Sequence, residues 1–395
     1  ARWNLQHAEI FQYRRKTFTN DPSPERRLRV GYVSRDFTEH AVAFFFQSLI
    51  AHHDPAAVET FCYSDTTFPD VMTERLKGLA QHWRDSSALD VEQFVAAVRE
   101  DQIDILVDLA GHTVGNRLTA FARKPAPVQV TYLGYAATTG LNAMDYRITD
   151  AIADPPGMTD AFYSEKLVRL PGGFLCYAPP APEEALPPRL PRDAAGQIVF
   201  GSSNATRKIR PEMVATWAAI LKGVPGSRMV LKSMLLKEGP PRQHLRELFA
   251  AHDIHDDRVQ YFSKVPEYAD HLAFYRGVDI ALDTYPYNGT TTTCEALWMG
   301  VPVISMAGKT HLSRVGASIL ERVGLGEFVV GTREAYVAKA IALAQDMPRL
   351  EGLRAGMRDR LRASPLLDGP RLAREIEAAY REMWRTWCAG AAARS

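Results

Sequence analysis

Asp283-Thr-Tyr-Pro-Tyr-Asn-Gly289-Thr290-Thr-Thr-Thr293-Cys-Glu295-Ala-Leu-Trp-Met-Gly300 follows the apolar run Val278 to Leu282 and leads into a threonine-rich segment. The apolar run reads as a strand, Pro286 and Gly289 break it, and Thr291 onward reads as a helix. The first-turn N–H groups of such a helix have no partner inside it, and its dipole places roughly half a positive charge there. An anion such as a diphosphate is favoured at that end. The threonine hydroxyls add donors without adding charge, and Glu295, one turn in, is suited to accept hydrogen bonds from sugar hydroxyls. A second reading needs no ligand: Thr292 and Glu295 fit the Thr-x-x-Glu capping box.

Working outward, strand-like and helix-like runs alternate from Leu28 onward, which predicts parallel α/β sheets. Strands are expected at Leu28 to Val33, Val58 to Tyr63, Ile103 to Leu109, Val128 to Leu133 and Tyr146 to Thr149, with helical patterns at His40 to His52, Val91 to Arg99 and Arg117 to Arg123. The proline-rich stretch Ala178 to Pro191 fits neither element and reads as an extended linker. Beyond it come expected strands Ile198 to Gly201, Arg228 to Lys232, Val259 to Phe262, Ile280 to Leu282 and Val301 to Met306. Helices are expected near Pro211 to Leu221, Arg242 to Ala251, Tyr268 to Arg276, Thr291 to Met299, Arg314 to Val323 and Arg333 to Ala344. A last amphipathic helix, Arg371 to Cys388, has the length to pack across both halves. The expected organisation is a helical segment at 1–27, a lobe at 28–178, the linker at 179–194, a second lobe at 195–365 and the closing helix at 366–395.

With 395 residues the chain exceeds the usual size of one core, which favours two domains. Hydrophobic residues at 46% and charged residues at 24% are ordinary globular values. A formal net charge of +1 gives no reason to expect nucleic acid or an acidic membrane as partner. No apolar run reaches the roughly 18 residues of a membrane-spanning helix, and no signal peptide opens the chain, so a cytoplasmic setting is expected. The four cysteines stand far apart and read as reduced thiols. The start on Ala1 and the helical pattern of Trp3 to Lys16 point to a piece of a longer protein.

Ligands of open α/β sheets sit beyond the carboxyl ends of the strands, which directs attention to the loops there. They hold Asp36 and His40 after the first strand, Asp108 with His112 after the third, and Gly134-Tyr135 with Thr138-Thr139-Gly140 after the fourth. In the second half Asn204, Arg207 and Lys208 follow the first strand, and His271 opens the helix before the threonine stretch. No Gly-x-Gly-x-x-Gly follows the first strand and no Gly-x4-Gly-Lys-Ser/Thr is present, which argues against a dinucleotide oxidoreductase and a P-loop NTPase. No His, Cys, Asp or Glu cluster has metal-site spacing.

The same loops resemble the catalytic core of the O-GlcNAc transferase and SPINDLY family of protein glycosyltransferases. The resemblance rests on Leu28-Arg-Val-Gly-Tyr-Val-Ser34 with Asp36 and His40, Pro125-Ala-Pro-Val-Gln129, Leu133-Gly-Tyr135, Asp145-Tyr146 with Thr149-Asp150, Tyr163-Ser-Glu-Lys-Leu167, Asn204 with Lys208, and Asp283 to Gly300. It implies a GT-B fold, two Rossmann-like lobes facing across a donor-binding cleft. It also implies inverting, metal-independent transfer of a sugar, with no cofactor beyond the nucleotide-sugar donor, to Ser or Thr of acceptor proteins.

By that resemblance Lys208 contacts the donor diphosphate, Thr291 and Thr292 lie beside it, Glu295 stands where the ribose is held and His271 stacks on the nucleobase, with Asn204 and Thr290 as further donor-binding residues. Leu133 and Gly134 neighbour the donor sugar, and His40 is an active-site histidine. Apart from the resemblance, Asp108 and His112 mark an expected acceptor and base region, the candidates for the general base being His40, His112 and Asp108, with a donor phosphate oxygen as the alternative. Thr290 replaces a histidine of animal O-GlcNAc transferases, Ala205 a glutamine and Tyr268 a lysine. The four-threonine run, Ala153-Asp-Pro-Pro156 and Phe174-Leu-Cys-Tyr177 look more like SPINDLY proteins. UDP-GlcNAc is the first expected donor, with GDP-fucose and a SPINDLY-like fucosyltransferase as the alternative. A non-catalytic nucleotide-sugar-binding scaffold is the alternative of another class. Family members also carry N-terminal tetratricopeptide repeats, which this sequence lacks.

Overall fold

In the computed structural model, which describes residues 2–14, 17–179, 196–263, 265 and 268–392, the apolar runs become parallel strands. Most of them are buried on both faces, the pattern that requires helices on either side of the sheet. The chain divides into two compact units, Ala1–Ala178 with Asp368–Ser395, and Pro179–Leu367. The expected linker at 179–194 lies, beyond its first residue, outside the described residues.

The first unit begins with α1 (Arg2–His7) and a 3-10 turn, Glu9–Arg14. Its strands are β1 (Leu28–Ser34), β2 (Val58–Ser64), β3 (His82–Asp85), β4 (Ile105–Asp108), β5 (Val128–Thr131), β6 (Tyr146–Thr149) and β7 (Lys166–Arg169). Between them run α2 (Ala41–Ile50), α3 (Val71–Leu79), α4 (Val91–Glu100) and α5 (Leu118–Phe121). The seven strands lie in the order β3-β2-β1-β4-β5-β6-β7, every neighbouring pair parallel. The core under this sheet contains Val33, Phe94, Ile103, Leu106 and Phe121, and the N-terminal segment contributes Ala8 to it.

The second unit repeats the plan with β8 (Val199–Ser202), β9 (Arg228–Lys232), β10 (Val259–Phe262), β11 (Ile280–Leu282), β12 (Val303–Met306) and β13 (Val329–Val330). Its helices are α6 (Pro211–Gly223), α7 (Pro240–Ala250), α8 (Tyr268–Ala273), α9 (Thr291–Trp298), α10 (Val315–Arg322), α11 (Arg333–Gln345) and α12 (Met347–Arg362). The strand order is β10-β9-β8-β11-β12-β13, again all parallel. In each sheet the order reverses beside the first strand, between β1 and β4 and between β8 and β11. Splayed loops at such a reversal leave the crevice in which open α/β sheets bind ligands.

The closing helix α13 (Gly369–Ala392) belongs to the first unit. Its Tyr380 hydroxyl lies 3.3 Å from that of Tyr32, and Glu377 meets the buried His53 at 2.8 Å. None of the helices among the described residues is long and apolar enough to cross a membrane.

Three strands and two helices depart from the sequence expectation. β3, β7 and β13 close the edges of their sheets, where one neighbour suffices and His-Trp-Arg-Asp, Lys-Leu-Val-Arg and Val-Val carry little apolar pattern. α3 is set by its cap instead, Asp70 and Thr73 forming a reciprocal capping box. α12 is highly charged, and it restarts after α11 at Asp346, whose side chain accepts from the Arg349 N–H.

Candidate functional site

At the β8/β11 reversal the geometry begins with Asp283, the residue after β11. Its carboxylate accepts from the N–H groups of Thr284 at 2.8 Å and Gly289 at 2.6 Å and from the Ser305 hydroxyl at 2.6 Å. These bonds fold residues 283–289 into a tight loop that delivers the chain to α9. A Cβ on Gly289 would lie 2.4 Å from the Thr292 hydroxyl, so only glycine lets the loop pass beneath the helix start. Burial raises the Asp283 carboxyl to about 6, against the lowering effect of its hydrogen bonds and of Lys208.

Lys208 reaches the same place from the turn after β8. Its ammonium donates to the Asn288 carbonyl at 2.7 Å and lies 4.1 Å from the centre of the Tyr287 ring. Burial lowers its pKa to about 8, opposed by the charge of Asp283. Asn204 links the parts: its Oδ1 accepts from Lys208 at 3.5 Å and from the Thr292 hydroxyl at 3.3 Å, and its amide donates to Asp283 at 3.5 Å.

The start of α9 has Thr290 as N-cap without a side-chain cap bond. The capping-box reading is thereby overturned: Thr292 lies inside the helix, and Glu295 turns away from its start. The buried Glu295 carboxylate accepts from the hydroxyls of Tyr268 at 2.5 Å and Tyr275 at 3.2 Å, and meets His271 Nε2 at 2.9 Å. Lys232 is buried beside this group, donating to the His271 carbonyl at 3.0 Å, and burial lowers its pKa to about 8. Thus Asn204, Lys208 and Thr290 to Thr292 gather at the helix start, while His271 and Glu295 gather one turn further along.

In the first unit the candidates gather at the β1/β4 reversal. His40 is the N-cap of α2: its Nδ1 accepts from the Val42 N–H at 3.3 Å, and Asp36 stands 3.6 Å from the same nitrogen. Its side chain is 47% exposed. Asp108 is fully buried and accepts from the N–H groups of Ala110 and Gly111 and from the Thr131 hydroxyl at 2.9–3.1 Å. Burial raises its pKa, the hydrogen bonds working against this. Its oxygens hold the loop after β4, an arrangement that fits positioning better than proton transfer. His112 follows in that loop, its Nε2 donating to the Thr139 carbonyl at 2.6 Å.

Leu133 has a φ of 63°, inside an N–H(134) to C=O(132) turn of 2.9 Å. A branched side chain in that region is strained, a feature that collects at functional sites. Gly134 makes the turn possible, since a Cβ there would stand 1.9 Å from the Leu109 carbonyl oxygen.

The sequence pattern assigns no part to Asp283, Asn288, Lys232 or Tyr275. Only Asp283 carried a signal, a carboxylate directly after a buried strand and six residues before a glycine.

The sequence matches the pattern of glycosyl transferase family 41 over residues 1–177 and 188–376. The chain belongs to that family. Among its relatives is the probable UDP-N-acetylglucosamine–peptide N-acetylglucosaminyltransferase SPINDLY of Solanum lycopersicum, 42% identical over 393 residues, covering 98% of this chain and 42% of the relative. A SEC protein of Arabidopsis thaliana with the same enzyme description is 34% identical over 380 residues, covering 92% and 38%. The chain therefore spans less than half the length of these curated relatives. A solved structure of a Thermobaculum terrenum O-GlcNAc transferase mutant superposes with a TM-score of 0.92 at 40% identity, covering 99% of this chain and 74% of that one. The family 41 chain thus has the GT-B architecture. Among the described residues no group of three or more His, Cys, Asp or Glu side chains is placed to hold a metal ion.

Proposed function

We propose that this family 41 chain is the catalytic core of an inverting protein O-glycosyltransferase that takes GlcNAc from UDP-GlcNAc to Ser or Thr hydroxyls of polypeptides. The observation that carries it is the placement of the Lys208 ammonium beside the uncapped start of α9 through Asn288 and Asn204. A point charge and a set of first-turn donors converge where a diphosphate would accept negative charge as it leaves. The names of the relatives supply the donor and the acceptor class.

In this reading the acceptor oxygen attacks the anomeric carbon from the face opposite the diphosphate. The carbon–oxygen bond to the diphosphate breaks, and the diphosphate departs with the electron pair. Lys208 offsets its charge and Thr291 and Thr292 donate hydrogen bonds to it, a stabilisation that grows toward the transition state and so acts on kcat. Glu295 and His271 take the nucleoside, with Tyr268 and Tyr275 fixing the carboxylate. The acceptor proton goes to His112 Nδ1, since His40 Nδ1 is engaged as a helix cap and Asp108 is buried with three donors already on its carboxylate. Acceptor proteins are held with the help of N-terminal tetratricopeptide repeats in the longer protein. A cytoplasmic setting suits the four free cysteines.

Calorimetric and thermal titration with UDP, GDP and UDP-GlcNAc, followed by mass spectrometry of a Ser/Thr peptide incubated with donor, tests the proposal. A ligand at a hundred times its Kd adds about 2.7 kcal/mol of stability. UDP preference with a GlcNAc mass increment on the peptide is the expected result. GDP preference overturns the donor assignment, and saturable binding without transfer supports a scaffold instead.

A further inference from the structure

The ring of His112 is held on three sides, and one of the three comes from a distant part of the sequence. Its Nε2 lies 2.6 Å from the Thr139 carbonyl oxygen, which can only accept, so Nε2 carries the hydrogen and the neutral ring keeps its lone pair on Nδ1. Thr139 is itself fixed by Glu165, which takes its N–H at 2.7 Å and its hydroxyl as well. Tyr135 meets the imidazole edge to face at 5.4 Å, with the planes at 74°. These supports belong to the loop after β5. The remaining one is Trp3, whose ring meets the imidazole at 5.2 Å with the planes at 77°.

Trp3 is anchored on the core of the first unit and, through Asn4, on the far end of the same loop. It packs on the core cluster of the first unit with Phe11, next to the buried Ala8. The Asn4 side chain one residue on accepts from the Asn142 N–H at 3.0 Å. The indole thus stands on a fixed helix and closes one side of the histidine. The titratable groups near this arrangement are Asp108, at the foot of the loop that carries His112, Glu165, which holds Thr139, Tyr135 itself, and His7, whose ring is 5.5 Å from Trp3.

We propose that Trp3 is a positioning residue: together with Tyr135 it keeps the His112 ring in the orientation that donates Nε2–H to Thr139 and presents Nδ1 as the proton acceptor. This rests on the part given to His112 in the proposed transfer. Without the indole the imidazole gains room to rotate, the Thr139 bond is no longer enforced, and the two tautomers exchange. A small misplacement of a reacting group lowers kcat by an order of magnitude or more while leaving donor binding alone.

The experiment uses the full chain labelled with nitrogen-15 histidine, with His112 assigned by the signal lost in His112→Gln. A long-range proton–nitrogen correlation spectrum reads the tautomer directly. In the unsubstituted protein the Nε2–H form is expected. Trp3→Ala is expected to give mixed tautomers and a roughly tenfold lower kcat with an unchanged KM for donor, and Trp3→Phe to restore both. If Trp3→Ala unfolds the segment, Trp3→Leu carries the same expectation, since it keeps apolar bulk but no ring edge. Unchanged His112 nitrogen signals in the folded variant overturn the proposal, as does a kcat that stays level while the tautomer shifts. Should the unsubstituted chain transfer no sugar, the function fails, and the nitrogen spectrum still decides whether Trp3 positions the ring.

Discussion

Lys208 donates to the backbone carbonyl of Asn288 at 2.7 Å, which ties the ammonium to the loop that starts α9. Burial lowers its pKa from 10.5 to about 8, so one group sets two opposite trends with pH. The folded-state value lies below the unfolded one; the cost of burying the charge is therefore present below about pH 8 and is relieved as pH rises toward 10.5. Stability without ligand gains from Lys208 over that window. Diphosphate affinity does the reverse, because the neutral amine no longer attracts it, and at one unit above the pKa about a tenth of the lysine is charged. Thermal unfolding with and without UDP across this window is expected to show the two curves converging, and Lys208→Met to abolish the convergence. Parallel curves would remove Lys208 from the diphosphate site.

Asp283 is the counter-charge, and its substitution separates charge from architecture. Its folded pKa of about 6 lies above the ordinary 3.8, so the stability it lends is complete below about 3.8 and is lost as pH rises through about 6. Asn at this position keeps an acceptor for the Gly289 and Thr284 N–H groups and removes the pH dependence. Asp283→Asn is expected to keep or raise Tm at neutral pH, to lower the Lys208 pKa further and to weaken UDP binding about tenfold. Asp283→Ala strands the Gly289 N–H and is expected to cost about 1–3 kcal/mol. Denaturant unfolding and calorimetry distinguish the two effects.

The fold was largely legible because its central strands are short apolar runs followed by polar loops, and a strand buried on both faces has no other composition available to it. β3, β7 and β13 were illegible for the opposite reason: an edge strand is defined by the neighbour it pairs with. In the candidate site, the threonines of α9 were legible because a helix start after a strand advertises itself through glycine and hydroxyl residues, and Lys208 because it follows the first strand of its half. Asn288 and Tyr275 were not, since Asn288 serves Lys208 through its carbonyl and Tyr275 reaches Glu295 from another helix. Glu295 shows how a local pattern misleads. Its spacing from Thr292 suits a cap, yet three side chains from the α8 region claim its oxygens.

That cluster predicts an asymmetric response. Glu295→Gln keeps one acceptor oxygen and places an amide against donors, so about 1–3 kcal/mol of stability is expected to be lost. Tyr268→Phe removes one hydrogen bond and is expected to cost about 1 kcal/mol. If Glu295 also takes the nucleoside, Glu295→Gln weakens UDP and uridine alike, whereas Lys208→Met weakens only UDP. Titration of both ligands against both variants checks this.

Leu133 and Gly134 make a paired test of backbone strain. Leu133 at a φ of 63° is expected to gain roughly 1 kcal/mol of stability on replacement by glycine. Gly134→Ala brings a Cβ to 1.9 Å from the Leu109 carbonyl oxygen and must displace either the turn or β4. Chemical denaturation is expected to rank Leu133→Gly above the unsubstituted chain and Gly134→Ala below it. A loss of transfer in Leu133→Gly despite the gain in stability would tie the strained turn to function.

His40 shows why an alanine substitution alone would mislead. Its Nδ1 accepts the Val42 N–H as the N-cap of α2, so His40→Ala removes a cap and is expected to cost about 1 kcal/mol whether or not the imidazole meets substrate. Asparagine is among the best N-cap residues and supplies an acceptor at nearly the same reach. His40→Asn is therefore expected to recover most of the lost stability. If the imidazole also orients the acceptor by donating its Nε2–H, His40→Asn stays as low in kcat as His40→Ala while its melting temperature returns. Recovery of both together would reduce His40 to a helix cap and leave proton transfer to the loop that carries His112.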